Sequence, residues 1–142
     1  MPVTLHTQNY PFLSQLGLRT IVSLTPDIDS RLAAFSQTHG ITLVHIHVDG
    51  GSGVVIKPKH VRQFLNLCVA VRRDCIDVRM SSINRDCITL QPESLPLLVH
   101  CLTGIVSTGL AVMCLRKLQN ISSAYAEAEF ARFTRCVPSQ CS

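Results

Sequence analysis

The sequence contains an unbroken run of 22 residues, Ser94–Leu115, without a single Asp, Glu, Lys or Arg. A run of about 20 uncharged residues is long enough for a helix that spans a membrane. Within this run, however, Pro96, His100 and several Gly, Ser and Thr residues interrupt the apolar side chains every few positions. These interruptions favour a buried strand followed by a loop and a helix, and we expect no membrane partner.

The composition of the whole chain is that of one small folded domain. Its 142 residues are 46% hydrophobic and 15% charged, against roughly 25% charged in an average soluble domain. This much apolar surface excludes a disordered chain. The net charge of +4 comes from scattered basic residues and only 5% of the residues are aromatic, so we expect no nucleic-acid partner.

Seven cysteines are many for this length. Residues 1–10 show no basic stretch followed by an apolar core, so we expect no secretory signal. A protein that is not exported keeps its cysteines reduced, and we therefore expect a cytoplasmic protein. The cysteines show neither C-x-x-C nor the paired Cys/His spacing of a zinc site, which predicts no metal and no other cofactor.

Short β-branched segments alternate with segments of helical periodicity along the chain. The predicted strands are Leu18–Leu24, Ile41–Val48 and Leu97–His100. The predicted helices begin near Asn9, Asp29 or Ser30, Pro58, Thr108 and Ser122. This order predicts an α/β fold with a mostly parallel central sheet flanked by helices. Ligand sites of such sheets lie beyond the carboxyl ends of the strands.

Residues 73–96 break this pattern because they are polar and irregular. They contain a near-duplicate segment, Arg73–Ile76 and Arg85–Ile88, which is too short for a repeat architecture. We predict a single domain over residues 1–142 with a long surface insertion at about 73–96. Further along the chain, the last helix is predicted to turn three side chains inward, namely those of Ala126, Phe130 and Phe133.

The end of the third strand and the residues after it, 100–109, form the candidate site. A strand that leads through a loop onto a helix N-terminus directs backbone N–H groups and the positive end of the helix dipole at one point. An anion is the expected occupant. A cysteine at this point, Cys101, would have a depressed pKa, and its thiolate could attack phosphorus to form a covalent phospho-enzyme. The same thiolate could respond to oxidants, with or without catalysis.

Several blocks of residues resemble a known family. Residues 100–109 read His-Cys-x-x-Gly-x-x-Ser-Thr-Gly, which resembles the H-C-x-x-G-x-x-R-[ST]-G signature of cysteine-dependent protein tyrosine phosphatases. Residues 9–13 and 16–26 are similar to the N-F-P-F-L and L-G-L-K-T-I-[IV]-x-L-x-P-E blocks of the plant-and-fungi atypical dual-specificity phosphatases. Residues 114–119 and 129–133 are similar to their C-L-R-K-L-Q and E-Y-x-R-F blocks. The resemblance covers nearly the whole chain apart from residues 73–96.

This resemblance implies the three-layer phosphatase fold, with the strand that normally precedes the first helix missing. It also implies a cysteine-dependent phosphatase, with Cys101 at the nucleophile position and the Thr108 hydroxyl assisting Cys101 as a leaving group. His100 is expected to hydrogen-bond the loop backbone. The phosphate-binding loop would comprise His100, Cys101, Leu102, Thr103, Gly104, Ile105, Val106 and Ser107.

The chain departs from the signature at the position of the family arginine, which is Ser107 here. Arginine binds two phosphate oxygens at once and neutralises charge in the transition state, whereas serine offers one neutral donor. We expect Ser107 to cap the helix instead. The family's basic loop positions hold Leu102, Thr103, Ile105 and Val106. The pattern without the arginine resembles a divergent fungal branch, the oxidant-induced cell-cycle arrest proteins.

The general acid that protonates the leaving oxygen would come from a neighbouring loop. Asp49 is the only well-placed candidate, and a solvated turn residue is the alternative interpretation. His45 and His47 precede it and are predicted to be packed or hydrogen-bonded rather than metal ligands. The candidates for a cation that replaces the missing arginine are Arg19, Lys57 and Lys59.

Two functions remain open on the sequence alone. The first is a catalytically impaired member of the phosphatase family that acts as a phosphate-binding or scaffold module. Its partner would be a phosphorylated protein, an inositol phosphate or a related phosphatase-fold protein. The second is an active cysteine-dependent phosphatase on phosphotyrosine or inositol pyrophosphates.

Overall fold

The computed structural model describes residues 5–50, 56–71 and 88–135. A single 3-10 turn, Thr7–Asn9, precedes the first α-helix. The strands are β1 (Thr20–Leu24), β2 (Thr42–His45), β3 (Val69–Val71), β4 (Ile88–Leu90) and β5 (Leu97–Cys101). The helices are α1 (Tyr10–Gln15), α2 (Ser30–Thr38), α3 (Pro58–Cys68), α4 (Val106–Leu118) and α5 (Ser123–Arg135).

The centre of the fold is a parallel sheet of three strands in the order β2-β1-β5. All five residues of β1 are buried, as expected for a strand that is covered on both faces. The register aligns Ser23 of β1 with His45 of β2 and His100 of β5. The carboxyl ends of the three strands therefore meet at one edge of the sheet.

Two apolar layers cover the sheet, which confirms the predicted α/β architecture. Because successive side chains of a strand alternate between faces, Val22 packs with residues of α3 and α4 while Ile21 packs with residues of α1 and α2. Full burial of a side chain of this size contributes roughly 1.5–3 kcal/mol. The first layer contains Phe64, Cys68 and Ala111, and the second contains Leu13, Leu32 and Phe35.

Both ends of α2 carry residues that commonly begin and end helices, an aspartate at the start and a glycine after the end. The Asp29 carboxylate accepts a hydrogen bond from the Arg31 N–H at 2.8 Å, so Asp29 is the N-cap, one of the two predicted candidates. Gly40 follows the helix with a φ of +65°, a left-handed conformation that favours glycine. The chain then enters β2 at Thr42.

A short antiparallel pair, β3 with β4, was not predicted. Val69 aligns with Leu90 and Val71 with Ile88. Val71 lies in β3 beyond the end of α3, and Ile88–Leu90 lies within the segment that was predicted to be irregular. The pairing depends on contacts between distant residues, which local periodicity does not reveal. Residues 73–87 of the predicted insertion lie outside the described residues.

Helix α5 packs against α4 through two specific contacts. The Arg116 guanidinium donates to the Glu129 carboxylate twice, from Nε to Oε2 and from Nη2 to Oε1, each at 3.0 Å. At Gly109, an added Cβ atom would overlap the ring of Phe130. Ala126 is buried as predicted, but Phe133 is 67% exposed, so its predicted inward orientation is wrong. Its ring lies beside the Arg132 guanidinium instead.

Candidate active site

The candidate site lies at the sheet edge where β1, β2 and β5 end. Cys101 is the last residue of β5 and is paired with Leu24 of β1. Only residues 102–105 form the loop, because α4 already begins at Val106. The predicted loop from Cys101 to Ser107 was therefore too long at both ends, since strand pairing extends through Cys101 and helical bonding begins before Ser107.

The backbone of this loop makes a tight turn. Gly104 has a φ of +72°, and its N–H donates to the carbonyl of Cys101 at 3.2 Å. The Gly109 N–H donates to the carbonyl of Ile105 at 2.8 Å, which closes the first turn of α4. The N-cap of α4 is Ile105, which provides no side-chain acceptor. Amide groups in the first turn of an uncapped helix can bind an anion.

Ser107 occupies the second residue of α4 and is only 4% exposed. The predicted capping role of Ser107 is wrong, because a cap must stand before the first helical residue. The position of the family arginine thus holds a short, buried and neutral side chain.

Cys101 is 1% exposed, and its pKa is lowered by its neighbours. Burial is the largest single effect and acts to raise the pKa of this thiol. It is outweighed by four polar groups around the sulfur, the hydroxyl and N–H of Thr108, the hydroxyl of Thr103 and the N–H of Gly104. The Thr103 hydroxyl lies 3.8 Å from Sγ. These groups favour the thiolate form.

The Thr108 hydroxyl is buried and completes no hydrogen bond of standard geometry within the described part of the chain. It nevertheless lies close enough to Cys101 to lower the pKa of the thiol. A polar atom in this state is free to bond to the thiolate or to a ligand.

His100 differs from its expected role. Both ring nitrogens are buried and have no hydrogen-bond partner among the residues that the structure describes. The predicted hydrogen bond to the loop backbone is therefore wrong. Burial lowers the pKa of His100, so the ring is neutral near pH 7. A neutral ring adds no positive charge to the site.

Asp49 lies on the segment that follows β2, at the rim of the site. A Cβ atom on the next residue, Gly50, would stand 3.6 Å from Cδ2 of Leu102 in the loop. The Asp49 side chain is 74% exposed. One of its oxygens lies 3.1 Å from Nε2 of His47, and the other lies 4.0 Å from Nζ of Lys57.

Both histidines of the β2 region are hydrogen-bonded, as predicted. Nε2 of His45 bonds to the carbonyl of Thr25 at 2.8 Å, and Nδ1 of His47 bonds to the carbonyl of Pro26 at 2.8 Å. These bonds hold the segment after β2 against the segment after β1. Among residues 5–50, 56–71 and 88–135, no three His, Cys, Asp or Glu side chains could together hold a metal ion.

The three cations considered as replacements for the arginine lie in different places. Arg19 precedes β1, so it lies at the opposite edge of the sheet, where its Nη1 is 3.5 Å from the carbonyl of Pro92. Lys57 precedes α3 and lies beside Asp49 at the rim. Lys59 lies in the first turn of α3. The structure therefore excludes Arg19 from the site and places Lys57 at its rim, with Lys59 two residues further along the chain.

A strand that ends in a cysteine and leads through a short loop onto a helix is the geometry that the sequence blocks implied. A comparison of the sequence with known families identifies the family. The sequence model described as "Tyrosine phosphatase family" matches residues 4–140. The chain belongs to the tyrosine phosphatase family.

Several relatives within this family are inositol diphosphatases by name. Inositol diphosphatase DSP2 of Arabidopsis thaliana is 27% identical over 141 residues, which covers 88% of this chain and 55% of the relative. A relative from Mycosarcoma maydis, named "Putative tyrosine-protein phosphatase OCA1", is 30% identical over 128 residues and is covered to 68% of its length. The chain spans about half the length of the first curated relatives that it matches.

A solved structure supports the same fold. The core catalytic domain of the PP-IP phosphatase SIW14 from Saccharomyces cerevisiae, crystallised with citrate, matches with a TM-score of 0.68 and 26% sequence identity. The match covers 93% of this chain and 68% of that chain. The phosphatase fold implied by the sequence blocks is thus confirmed. In the described residues, no helix is both long and apolar enough to cross a membrane.

The reactivity of Cys101 gives a direct check on the site of this phosphatase-family protein. We expect iodoacetamide to alkylate Cys101 with an apparent pKa below the ordinary thiol value of about 8.5. Thr108→Val should raise this value, because it removes one of the groups that favour the thiolate. The measurement is the alkylation rate against pH, followed by mass spectrometry of the Cys101 peptide.

Cys68 serves as an internal control in that experiment. It is 2% exposed, and burial raises its pKa to about 11. It should remain unmodified at pH values at which Cys101 reacts. An apparent pKa of Cys101 at or above the ordinary value would contradict a thiolate-stabilising loop and remove the hypothesis of an oxidant-sensitive thiolate.

Proposed function

We propose that this tyrosine-phosphatase-family protein binds phosphate in the loop after β5 but is catalytically impaired, and that it acts as a phosphate-binding or scaffold module. The observation that carries the proposal is Ser107, a buried neutral side chain at the arginine position. Residues 94–115 contain no Lys or Arg that could replace the arginine within the loop. Phosphate would then be held by backbone amides and the α4 dipole.

In this proposal Cys101 occupies the nucleophile position. Its thiolate would attack phosphorus, form an S–P bond and displace the leaving oxygen, which must take up a proton. Asp49 is the candidate donor of that proton, and its exposed position beside His47 fits a solvated rim residue equally well. Thr108 would bond to the thiolate when Cys101 leaves.

The missing arginine limits the rate of this reaction. A bidentate guanidinium stabilises the charge that spreads over the phosphoryl oxygens in the transition state. Removing one such group costs roughly 10²- to 10³-fold in rate, and removing an arginine can cost more. A loop that retains only neutral donors can therefore hold phosphate while turning it over slowly.

The ligand class is proposed from the loop and from the relatives. A phosphorylated protein or an inositol phosphate carries the dianionic group that such a loop accepts, and several relatives are named inositol diphosphatases. A related phosphatase-fold protein is a further candidate partner for a scaffold. We place the protein in the cytoplasm, where its cysteines would stay reduced.

An active cysteine-dependent phosphatase is the second candidate, and specific observations favour it. The lowered pKa of Cys101 and the unpaired Thr108 hydroxyl are features of a working nucleophile. Lys57 and Asp49 lie together at the rim, where a cation and an acid are needed. This candidate requires a cation to approach the phosphoryl oxygens from outside the loop.

Hydrolysis of a generic aryl phosphate separates the two candidates. We expect purified wild-type protein to hydrolyse it slowly, about 10²- to 10³-fold below a Ser107→Arg variant, and Cys101→Ser to lose this residual rate. Robust hydrolysis that disappears in the Cys101→Ser variant would contradict the impaired function and support the active phosphatase.

A further inference from the structure

The loop after β5 leaves most of the charge of a phosphate ligand unbalanced. Its side chains are uncharged, and the pKa of the adjacent His100 is lowered by burial. The amide groups and the helix dipole supply only partial positive charges. Formal positive charge for a ligand must therefore come from a neighbouring element.

Residues 46–50, which follow β2, and residues 56–57, which precede α3, are that neighbour. Val48 and Ile56, 3% and 6% exposed, pack in the same apolar cluster as Cys101. Gly50 lies against Leu102 of the loop, and Asp49 precedes it by one Cα spacing, about 3.8 Å. The contact between Asp49 and Lys57 thus places the start of α3 at the rim of the loop.

The start of α3 carries a concentration of positive charge. Lys57 and Lys59 bracket Pro58, and His60 lies directly behind them with its Nδ1 accepting the N–H of Lys57 at 3.2 Å. Burial is the main cause of the lowered pKa of His60, and the positive charges of Lys59 and Lys57 lower it further. Both lysines therefore lie at the same end of α3, near enough to His60 for their charges to act on it.

The surrounding charges do not cancel this cluster. Asp49 is the only acidic side chain among the groups that influence His60, against Lys57, Lys59 and His47. Lys57 stays 60% exposed beside Asp49 at a separation of 4.0 Å, so its ammonium group remains available to a ligand. Lys57 and Lys59 also lie at the N-terminal end of the 11-residue helix α3, which is the positive end of its dipole.

We propose that Lys57 and Lys59 form a second anion subsite at the rim of the loop, which binds an additional phosphate group of a ligand whose first phosphate lies over Cys101. The inference rests on the proposed phosphate-binding function of the loop. It selects ligands with two or more phosphate groups over those with one. The cations that the loop lacks are supplied from α3 instead.

Calorimetric titration of the whole chain with inorganic phosphate and inorganic triphosphate tests this subsite. Wild-type protein should bind triphosphate at least about tenfold more tightly than phosphate, as expected for added charge-assisted hydrogen bonds. In the Lys57→Gln/Lys59→Gln variant this ratio should fall to about one. Lys117→Gln, which removes an exposed charge in the last turn of α4, should leave the ratio unchanged.

The outcomes separate the subsite from the function of the loop. A wild-type ratio in the double variant overturns the second subsite and leaves the proposed function intact. Ser107→Asp, which places a negative charge in the loop, should abolish phosphate binding; if it does not, the proposed function fails and the subsite fails with it. Lys59→Gln alone, at an exposed residue, provides the same readout if the double variant does not fold.

Discussion

Replacing Ser107 with arginine is expected to raise the Cys101-dependent hydrolysis of an aryl phosphate by about 10²- to 10³-fold. The structure contains two features that such a reaction uses, a thiol of lowered pKa and uncapped amides at the start of α4. The new guanidinium would bond two phosphoryl oxygens of the transition state at once. Initial rates at saturating substrate measure the gain.

Two further variants identify the cause of a gain. Ser107→Lys brings the charge without the planar fork and should give a smaller increase. The combination of Ser107→Arg with Cys101→Ser should give none. Because Ser107 is buried, thermal melting must show that the arginine variant is folded. A folded arginine variant with wild-type rates would show that the site has decayed beyond the loss of one residue.

Gly109→Ala is expected to destabilise the fold by roughly 1–3 kcal/mol, because the added methyl group would overlap the Phe130 ring. For a domain of this size, such a loss lowers Tm by several degrees, at roughly 2–4 °C per kcal/mol. The contact between Gly109 and Phe130 joins the first turn of α4, next to the candidate site, to α5. Thermal melting and denaturant titration measure the loss.

A double-variant cycle distinguishes this overlap from a general effect of altering α4. In a Phe130→Ala background the ring is absent, so Gly109→Ala should cost little or even stabilise the helix through its higher propensity. An equal cost in both backgrounds would contradict the close approach of α4 and α5 at this point. The same cycle thus tests the helix packing that the structure describes.

Much of the fold could be predicted from local patterns. The β-branched segment around Ile21 and Val22 has the composition of a strand that is buried on both faces, and it is one. Asp29 and Gly40 stand where helix-end chemistry requires them. Because these signals lie within a few residues of each other, the sequence alone reveals them. The position of Cys101 after the third strand was predicted from the order of strand, loop and helix, but its role was predicted only from the resemblance of residues 100–109 to the phosphatase signature.

The predictions that were wrong concern features that depend on contacts between distant residues. Ser107 lies inside α4 rather than at its cap, because the helix starts two residues earlier than local preferences indicated. The unpaired ring nitrogens of His100 and the exposure of Phe133 result from how elements pack. The Arg116 and Glu129 side chains each belong to a family-like block, and only the structure shows that they form an ion pair.

The central claim is that this member of the tyrosine phosphatase family keeps the phosphate loop and has lost most of its catalytic power. Side-by-side hydrolysis of an aryl phosphate by wild-type protein and Cys101→Ser tests it most directly, with Ser107→Arg as the positive reference. We predict a wild-type rate that lies about 10²- to 10³-fold below the reference and falls further in Cys101→Ser. A wild-type rate that matches the reference and is lost in Cys101→Ser would contradict the claim.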